Sequence, residues 1–512
     1  MTTPEGSHSA AAVNVETAAR FDSPVLAATG IQGLDDVLGG GLTRERLYLI
    51  EGPPGAGKTT IAVQFLLEGA RLGESGLYIT LSETEQELRS VAASHGWSLD
   101  GFHIFEVMPN QEALRGEQQY TVFHPAEVEL SETTRAIRET VDRLKPARVV
   151  FDSLSELRLL AGSTLRYRRQ VLALKQFLAE RGCTVLVLDD ASAGEHELHV
   201  QTLAHGIIVL EQSQPEYGNE RRRLRVMKYR GAAYSAGYHD FVIRRGGIAL
   251  FRRLTAAESR GPVSMEKLPS GVHGIDVLLG GGIERGTSTL MAGAAGSGKS
   301  SLAAQFVLAA AERGQHAAMF LFDESVNTLV TRCAGLRIDL RPHIDAGTIS
   351  VQQVDPAELC PGELLHAVAA AAQRGAAVIV IDSLNGYLNA LPEERFLLIQ
   401  LHELLTYLGE KGVATIIVGA QRGLIGPNMQ TPADASYLAD AVVLLRYFEA
   451  GGEVHQAISV VKKRGGAHER SIREFRLSSE GIKVGEPLHQ FRGVLTGTPV
   501  YEGSGPPIRG KH

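Results

Sequence analysis

The chain has 512 residues, of which 44% are hydrophobic and 21% charged, and its formal net charge at pH 7 is −7. This globular composition excludes pervasive disorder and a fibrous chain. The acidic balance argues against a protein that coats nucleic acid or an anionic membrane. The length predicts two to four domains, each able to bury its own core.

The cysteines and the N-terminal residues favour an intracellular protein. Cys183, Cys333 and Cys360 are far apart and form no CxxC pair, which disfavours a disulfide framework or a zinc cluster. Residues 1–22 lack the basic start and apolar stretch of a secretory signal. No apolar run approaches the roughly 20 residues that span a bilayer. We therefore expect a soluble, cytoplasmic protein with no membrane association.

The sequence contains an internal duplication. Residues 29–42 read TGIQGLDDVLGGGL and return at 270–283 as SGVHGIDVLLGGGI. The next segment, LIEGPPGAGKTT, returns as LMAGAAGSGKSS with the same offset of 241 residues. A period of this length is that of a domain rather than of a solenoid repeat. We predict an N-terminal segment over 1–22, a first domain over 23–258, a second domain over 259–486 and a tail over 487–512.

Each copy alternates apolar strand-like runs with helical periodicity. Thr59–Leu72 has apolar residues at helical spacing after the first glycine loop. Short apolar runs are typical of parallel strands that are covered on both faces. These runs are Leu47–Glu51, Leu77–Leu81, Ala147–Phe151 and Cys183–Leu188, then Ala317–Phe322, Ala377–Ile381 and Val413–Val418. The pattern predicts an α/β fold with two tandem domains, each a mainly parallel sheet flanked by helices.

Each copy carries the phosphate-binding pattern G-x4-G-K-[ST] between a predicted strand and a predicted helix. Glycines let successive backbone N–H groups face phosphate oxygens, and the helix start adds positive charge. An ordinary glycine turn is the alternative, which two matches at one offset disfavour. We therefore predict ATP at both loops. Its expected contacts are Gly52, Gly55, Ala56, Gly57, Lys58, Thr59 and Thr60, and Gly293, Gly296, Ser297, Gly298, Lys299, Ser300 and Ser301.

A carboxylate ends a later apolar strand in each copy. Asp152 ends ARVVFD, and Asp382 ends AVIVID. A carboxylate at the end of a strand beside the phosphate loop is suited to hold Mg²⁺. The hydroxyls of Thr59 and Ser300 supply oxygen ligands of the same kind. We predict a Mg²⁺ site in each domain from these four residues.

A second acidic element follows the second predicted strand of each copy. It is Glu83 in the first copy and Asp323-Glu324 in the second. A carboxylate at this place can orient and deprotonate the attacking water. The alternative is a solvated residue that opens a helix, because Ser82-Glu83-Thr84-Glu85 also resembles a helix start. We interpret these three residues as catalytic.

The motifs resemble the KaiC family of RecA-like ATPases. Both copies have G-x-x-G-x-D-x-x-x-G-G-G, the phosphate loop, the acidic element, a strand ending in Asp-Ser and a late K-x-R-G. The resemblance covers nearly all of residues 25–500 and implies a double-layered hexameric ring with ATP between subunits. Lys228, Arg230, Lys462 and Arg464 would then contact the nucleotide of the adjacent subunit, where a cation stabilises the transferred phosphoryl group. Without the resemblance, K-x-R-G is only a basic strand end.

The sequence departs from the family pattern in three places. Ser82 replaces the first of two adjacent glutamates, so hydrolysis in the first domain depends on Glu83 alone and is expected to be slower or differently arranged. The segment that accepts phosphate in the clock protein aligns on Ser436, with Thr431 upstream, and Tyr437 replaces its threonine. Ser436 and Thr431 are thus candidate phosphoacceptors of an autokinase. The C-terminal tail is short, which disfavours a full oscillator role.

Three functions remain open from the sequence. The first is a ring ATPase that acts as a signalling switch with Ser/Thr autokinase activity. The second is a RecA-like motor that handles DNA, and the third is an ATP-binding scaffold with little turnover. The negative net charge favours the first function and disfavours nucleic acid as a partner. We expect a homo-hexamer. The sequence does not identify the signalling partner.

Overall fold

The structure is a computed structural model. It describes residues 25–107, 125–190, 198–215, 218–255, 266–358, 360–389, 397–421, 435–495 and 499–503. The predicted domain boundaries at 22/23 and 258/259 lie outside these ranges. The boundary at 486/487 falls within the last strand of the second large sheet.

The first domain is built on a nine-stranded sheet. Its order is β11-β10-β9-β8-β3-β7-β6-β4-β5, and β1 and β2 form a separate pair. The strands are β1 Leu26–Ala27, β2 Leu42–Thr43, β3 Leu47–Gly52, β4 Gly76–Thr80, β5 His103–Glu106, β6 Arg148–Asp152, β7 Thr184–Asp190, β8 Gly206–Ser213, β9 Arg221–Tyr229, β10 Tyr238–Arg244 and β11 Gly247–Phe251. The helices are α1 Gln32–Leu38, α2 Lys58–Arg71, α3 Glu85–His95, α4 Pro125–Leu144, α5 Leu154–Ala161, α6 Thr164–Glu180 and α7 Leu198–Leu203.

The second domain repeats this architecture. Its nine strands are ordered β16-β15-β17-β18-β14-β19-β20-β21-β22, with separate pairs β12–β13 and β23–β24. The strands are β12 Lys267–Leu268, β13 Ile283–Glu284, β14 Ser288–Gly293, β15 His316–Leu321, β16 Ile349–Gln353, β17 Ala376–Asp382, β18 Ala414–Ala420, β19 Ala441–Ala450, β20 Glu453–Lys463, β21 Arg473–Ser478, β22 Gly481–Pro487, β23 Phe491–Arg492 and β24 Val500–Tyr501. The helices are α8 His273–Leu278, α9 Lys299–Glu312, α10 Val326–Ala334, α11 Arg341–Asp345, α12 Pro361–Gln373, α13 Leu384–Asn389 and α14 Leu397–Glu410, and Ala435–Tyr437 is a 3-10 turn.

The central strands are apolar throughout because both faces of each sheet are covered. Along β3, Tyr48 and Ile50 join the core on one face, while Leu47 and Leu49 join the core on the other. Successive strand residues point to opposite faces, so a strand between two helix layers must be apolar at every position. The predicted α/β fold is confirmed, and the predicted strands match the observed ones to within two residues.

One edge of each sheet is antiparallel and was not predicted. β8 to β11 pair antiparallel in the first domain, and β19 to β22 do so in the second. Most residues of β9, RRRLRVMKY, are partly exposed, with Leu224, Val226 and Tyr229 buried. β9 therefore lacks the continuous apolar run by which the central strands can be predicted from the sequence.

The two domains are in contact through α12. The backbone N–H of Gly362, in the first turn of α12, donates to Oδ2 of Asp240 on β10 over 2.8 Å. His366 Nε2 lies 2.6 Å from the carbonyl oxygen of Arg252. A first-domain carboxylate thus satisfies an orphan donor at the start of a second-domain helix.

In the described part of the chain, no helix has the length and apolar character needed to cross a membrane.

Candidate nucleotide-binding sites

Each phosphate loop joins the central strand of its sheet to the helix that follows. β3 leads into α2, and β14 leads into α9. The residue before each helix is a glycine with positive φ, 102° at Gly57 and 94° at Gly298. A Cβ on Gly57 would lie 2.8 Å from Ile243 Cδ1, and one on Gly298 would lie 2.7 Å from Leu477 Cδ1. Both backbone conformation and space therefore require glycine at these two positions.

The two loop lysines have different partners. Lys58 Nζ donates to the carbonyl oxygen of Gly52 and to Oδ1 of Asp190, both over 2.7 Å. Lys299 is 6% exposed, and its Nζ donates to the carbonyl oxygen of Ala294 over 2.7 Å. Burial lowers the pKa of Lys299. Among the described residues only the first of these lysines forms an ion pair with a carboxylate.

Strand register explains this difference. Asp190 pairs with Gly52 across β7 and β3, whereas Ala420 pairs with Gly293 across β18 and β14. The first domain therefore places a carboxylate beside its loop where the second places a methyl group. Gln421 comes one residue later, and its Oε1 is buried with no hydrogen-bond partner in the described structure.

The second domain has an oxygen set that fits Mg²⁺. Oδ2 of Asp382 is buried and has no hydrogen-bond partner among the described residues. The Ser300 side chain lies near the Asp382 carboxyl, in the first turn of α9. Burial, partly offset by Ser300, raises the pKa of Asp382 to about 6. A carboxylate and a hydroxyl beside a phosphate loop are ligands that Mg²⁺ prefers, so these two residues suit the ion.

The first domain adds a tyrosine to the equivalent set. Tyr78 OH donates to Oδ2 of Asp152 over 2.5 Å and lies near the Thr59 side chain. Burial raises the pKa of Asp152, and the Tyr78 hydrogen bond opposes that rise. Register places Met319 at the corresponding position of β15. Sequence reasoning missed Tyr78, whose only signal was this tyrosine-to-methionine difference between the repeats.

Glu83 lies just before α3 rather than in it. Thr84 is the N-cap of α3, and its side chain and that of Glu87 form a capping box. The backbone of Glu83 is held by the Thr80 hydroxyl, which donates to its carbonyl oxygen over 2.7 Å. Oε2 of Glu83 is buried with no partner in the described residues. Burial first, and then Asp152, raise the pKa of Glu83.

The second-domain carboxylates are both engaged. Oδ2 of Asp323 accepts from the hydroxyl of Ser383 over 2.5 Å. Both oxygens of Glu324 accept from Arg332, over 2.6 Å from Nη2 and 3.3 Å from Nε. Nη1 of Arg332 also donates to the Ser301 hydroxyl over 2.6 Å. Sequence reasoning missed Arg332, because nothing in its spacing indicated this contact.

The K-x-R-G cations lie at the far end of each sheet from the phosphate loop of the same domain. On β9, Lys228 pairs with Ile207 of β8, and the next residue, Tyr229, pairs with Gly206 at the start of β8. Gly206 in turn pairs with Tyr48 near the start of β3, whereas the phosphate loop follows the end of β3. Since each strand residue adds about 3.3 Å, the cations and the loop of one domain are not brought together.

The cations are held by carbonyl oxygens that precede the paired strand. Lys228 Nζ donates to Gln201 over 2.7 Å, and Arg230 Nη2 donates to Thr202 over 3.4 Å. In the second domain, Lys462 Nζ donates to Ala439 over 2.7 Å and to Ser436 over 2.8 Å, and Arg464 Nη2 donates to Tyr437 over 3.0 Å. Arg464 additionally pairs with Asp440 over 3.1 Å.

The two candidate phosphoacceptors differ in what the structure says of them. Ser436 is exposed in the 3-10 turn 435–437, and its carbonyl oxygen is one of the acceptors of Lys462. Thr431 lies outside the described residues. Only Ser436 can therefore be placed beside the K-x-R-G motif of the second domain.

Comparison with known proteins places the chain in one family. The KaiC ATPase family model matches residues 27–255 and 268–489. Circadian clock protein KaiC3 of Synechocystis sp. is 27% identical over 485 residues, which cover 92% of this chain and 94% of that protein. The circadian clock oscillator protein KaiC of Acaryochloris marina is 26% identical over 489 residues, which cover 92% and 91%. Circadian clock protein KaiC2 of Synechocystis sp. is 28% identical over 483 residues, which cover 92% and 83%. With two tandem matches that span most of its length and phosphate loops at both central strands, this chain belongs to the KaiC family of ATPases.

Proposed function

We propose that the chain binds and hydrolyses Mg²⁺-ATP at both phosphate loops as a homo-hexameric ring, and that its nucleotide state acts as a signalling switch. The observation that carries this proposal is the convergence, in the second domain, of Lys299, Ser300 and an unpartnered buried oxygen of Asp382. This arrangement suits a triphosphate and a divalent ion and has no evident structural purpose without them.

The residues of each site have separable roles. Lys58 and Lys299 turn from their present carbonyl partners to the outer phosphates of ATP. Asp152 with Thr59, and Asp382 with Ser300, hold Mg²⁺, which when bound neutralises charge on those phosphates. Glu83 and Glu324 orient the attacking water and accept its proton.

The position of the K-x-R-G cations supports the proposed ring. The K-x-R-G motif of each domain is at the opposite end of the sheet from its own phosphate loop. In a ring with head-to-tail contacts, that end of one subunit meets the loop of its neighbour. Lys228 and Arg230, and Lys462 and Arg464, then stabilise charge on the phosphoryl group in trans.

The autokinase part of the proposal concerns Ser436. Its exposed turn also supplies the carbonyl oxygens that hold Lys462 and Arg464, so in the ring it lies near the neighbour's nucleotide. The serine oxygen bonds to the γ-phosphorus, the bond from that phosphorus to the bridging oxygen breaks, and ADP leaves. The hydroxyl proton passes to Glu324 of the neighbouring chain. The circadian clock names of the relatives support a switch.

Size-exclusion chromatography with and without Mg²⁺-ATP, combined with phosphate release measured on the same fractions, tests the assembly and the turnover. We expect an ATP-dependent hexamer that carries the activity, and neither property in a Lys58→Ala/Lys299→Ala chain. Label from γ-labelled ATP should stay on the protein and be lost in Ser436→Ala. No affinity for adenine nucleotides at millimolar concentration would refute the proposal. Stimulation of phosphate release by single-stranded DNA would instead favour the motor.

A further inference from the structure

Arg332 connects the acidic element of the second domain to its phosphate-loop helix. Its guanidinium contacts both oxygens of Glu324 and, through Nη1, the hydroxyl of Ser301. Ser301 is in the first turn of α9, next to the predicted Mg²⁺ ligand Ser300. A planar guanidinium fork that grips a carboxylate fixes its orientation as well as its charge.

This contact is partly shielded from solvent. The side chain of Arg332 is 33% exposed and that of Glu324 is 21% exposed, so the pair is less screened than an ion pair at the surface. Arg332 is also restrained by its place in α10, whose N-cap Ser325 follows Glu324 directly. The arginine and the carboxylate therefore lie on one short segment, with the carboxylate directly before the N-cap of α10.

Among the described residues of the first domain, no cation contacts the corresponding carboxylate in this way. The N-caps of α3 and α10 are Thr84 and Ser325, which are separated by the repeat offset of 241 residues. At the position of Arg332, 241 residues earlier, the first domain has Val91, which is 38% exposed. The corresponding carboxylate, Glu83, has a buried oxygen without a hydrogen-bond partner in the described residues. The two repeats therefore contain equivalent carboxylates, Glu324 with an arginine contact and Glu83 without one among the described residues.

We propose that Arg332 is a positioning residue for hydrolysis in the second domain: it fixes the Glu324 carboxylate against the start of the phosphate-loop helix. This inference rests on the proposed function, in which Glu324 serves the second site. Hydrolysis in the first domain proceeds without such a restraint, so the two sites of one chain differ in how their carboxylate is held.

Other charged groups act on Glu324 as well. The Asp382 carboxylate on β17 is acted on by the like charges of Glu324 and Asp323, and Cys333 follows Arg332 on α10. Among these groups Arg332 is the cation. Loss of its guanidinium should therefore leave Glu324 beside carboxylates and without the contact that fixes its orientation.

The test uses the full chain with Glu83→Gln, so that the second domain carries the measured hydrolysis. Arg332→Met should lower the plateau rate at least about 10-fold, because the carboxylate loses its fixed position. The loss should fall on kcat and leave the Kd for ATP unchanged, because Arg332 acts through the Glu324 carboxylate. Arg332→Lys should restore only part of the rate, since it keeps the charge but lacks the planar fork. Arg341→Met, the same change at an exposed arginine on α11, should alter neither.

The outcomes separate the inference from the proposed function. An unchanged kcat in Arg332→Met, or a kcat in Arg332→Lys that is no higher than that of the methionine variant, overturns the positioning role. Nucleotide binding by each variant is measured first, and Arg332→Lys alone decides the matter if Arg332→Met does not fold. Glu324→Gln in the same background is the reference, and if it leaves hydrolysis unchanged, the role of Glu324 itself is wrong.

Discussion

The hydroxyl of Tyr78 donates a hydrogen bond over 2.5 Å to Oδ2 of Asp152. The phenol thus occupies an oxygen that the first domain would offer to Mg²⁺, whereas the matching oxygen of Asp382 has no hydrogen-bond partner among the described residues. One substitution between the repeats therefore gives the strand-end carboxylate different surroundings in the two domains.

Tyr78→Phe should strengthen Mg²⁺ binding in the first domain. The ion would no longer compete with a hydrogen bond whose net worth is about 1 kcal/mol, which corresponds to about fivefold in affinity. The Mg²⁺ concentration for half-maximal hydrolysis, measured in a Glu324→Gln chain, should fall by that factor. Met319→Leu, at the matching position of the second domain, is the control and should leave this value unchanged. If Tyr78→Phe leaves the Mg²⁺ concentration for half-maximal hydrolysis unchanged, Tyr78 does not compete with Mg²⁺ for the Asp152 carboxylate.

The pH dependence of the first domain should report Glu83. Burial and Asp152 raise its pKa above the ordinary value of 4.5, and only the ionised carboxylate can accept a proton. Hydrolysis in a Glu324→Gln chain should therefore decline as the pH falls through this raised pKa. Glu83→Gln should lower the rate at least about 100-fold, the lower range for loss of a general base. A rate that Glu83→Gln leaves intact would remove this residue from the mechanism.

The sequence was sufficient for the parts of the site that depend on local spacing. The glycine loops, the strands that end in Asp152 and Asp382, and the α/β class follow from periodicity and motif distances alone. Tyr78 and Arg332 could not be found in that way. Their contacts depend on which strands are neighbours and on their register, which a single sequence does not contain.

Asp190→Asn should tighten nucleotide binding at the first site. The carboxylate pairs with Lys58 over 2.7 Å, so it competes with the phosphates for the lysine and repels them as a like charge. With one charge-assisted contact removed, we expect about fivefold tighter binding of a fluorescent ATP analogue in a chain whose second site carries Lys299→Ala. Asp36→Asn, at an exposed position of α1, should have no effect. Weaker binding in Asp190→Asn would mean that the carboxylate holds the lysine ready instead.

Mixing two inactive chains should test whether the second-domain cations act in trans. Both chains carry Glu83→Gln, one with Arg464→Ala and the other with Glu324→Gln, and neither should hydrolyse ATP alone. In a randomly mixed ring, about one interface in four joins an intact site to an intact arginine from its neighbour. About a quarter of the second-domain rate should therefore return on mixing at equal amounts. The Lys228 and Arg230 pair of the first domain should behave in the same way with Glu83. If mixing restores nothing while both chains still enter one ring, Arg464 does not serve the neighbour's nucleotide, and its ion pair with Asp440 is structural.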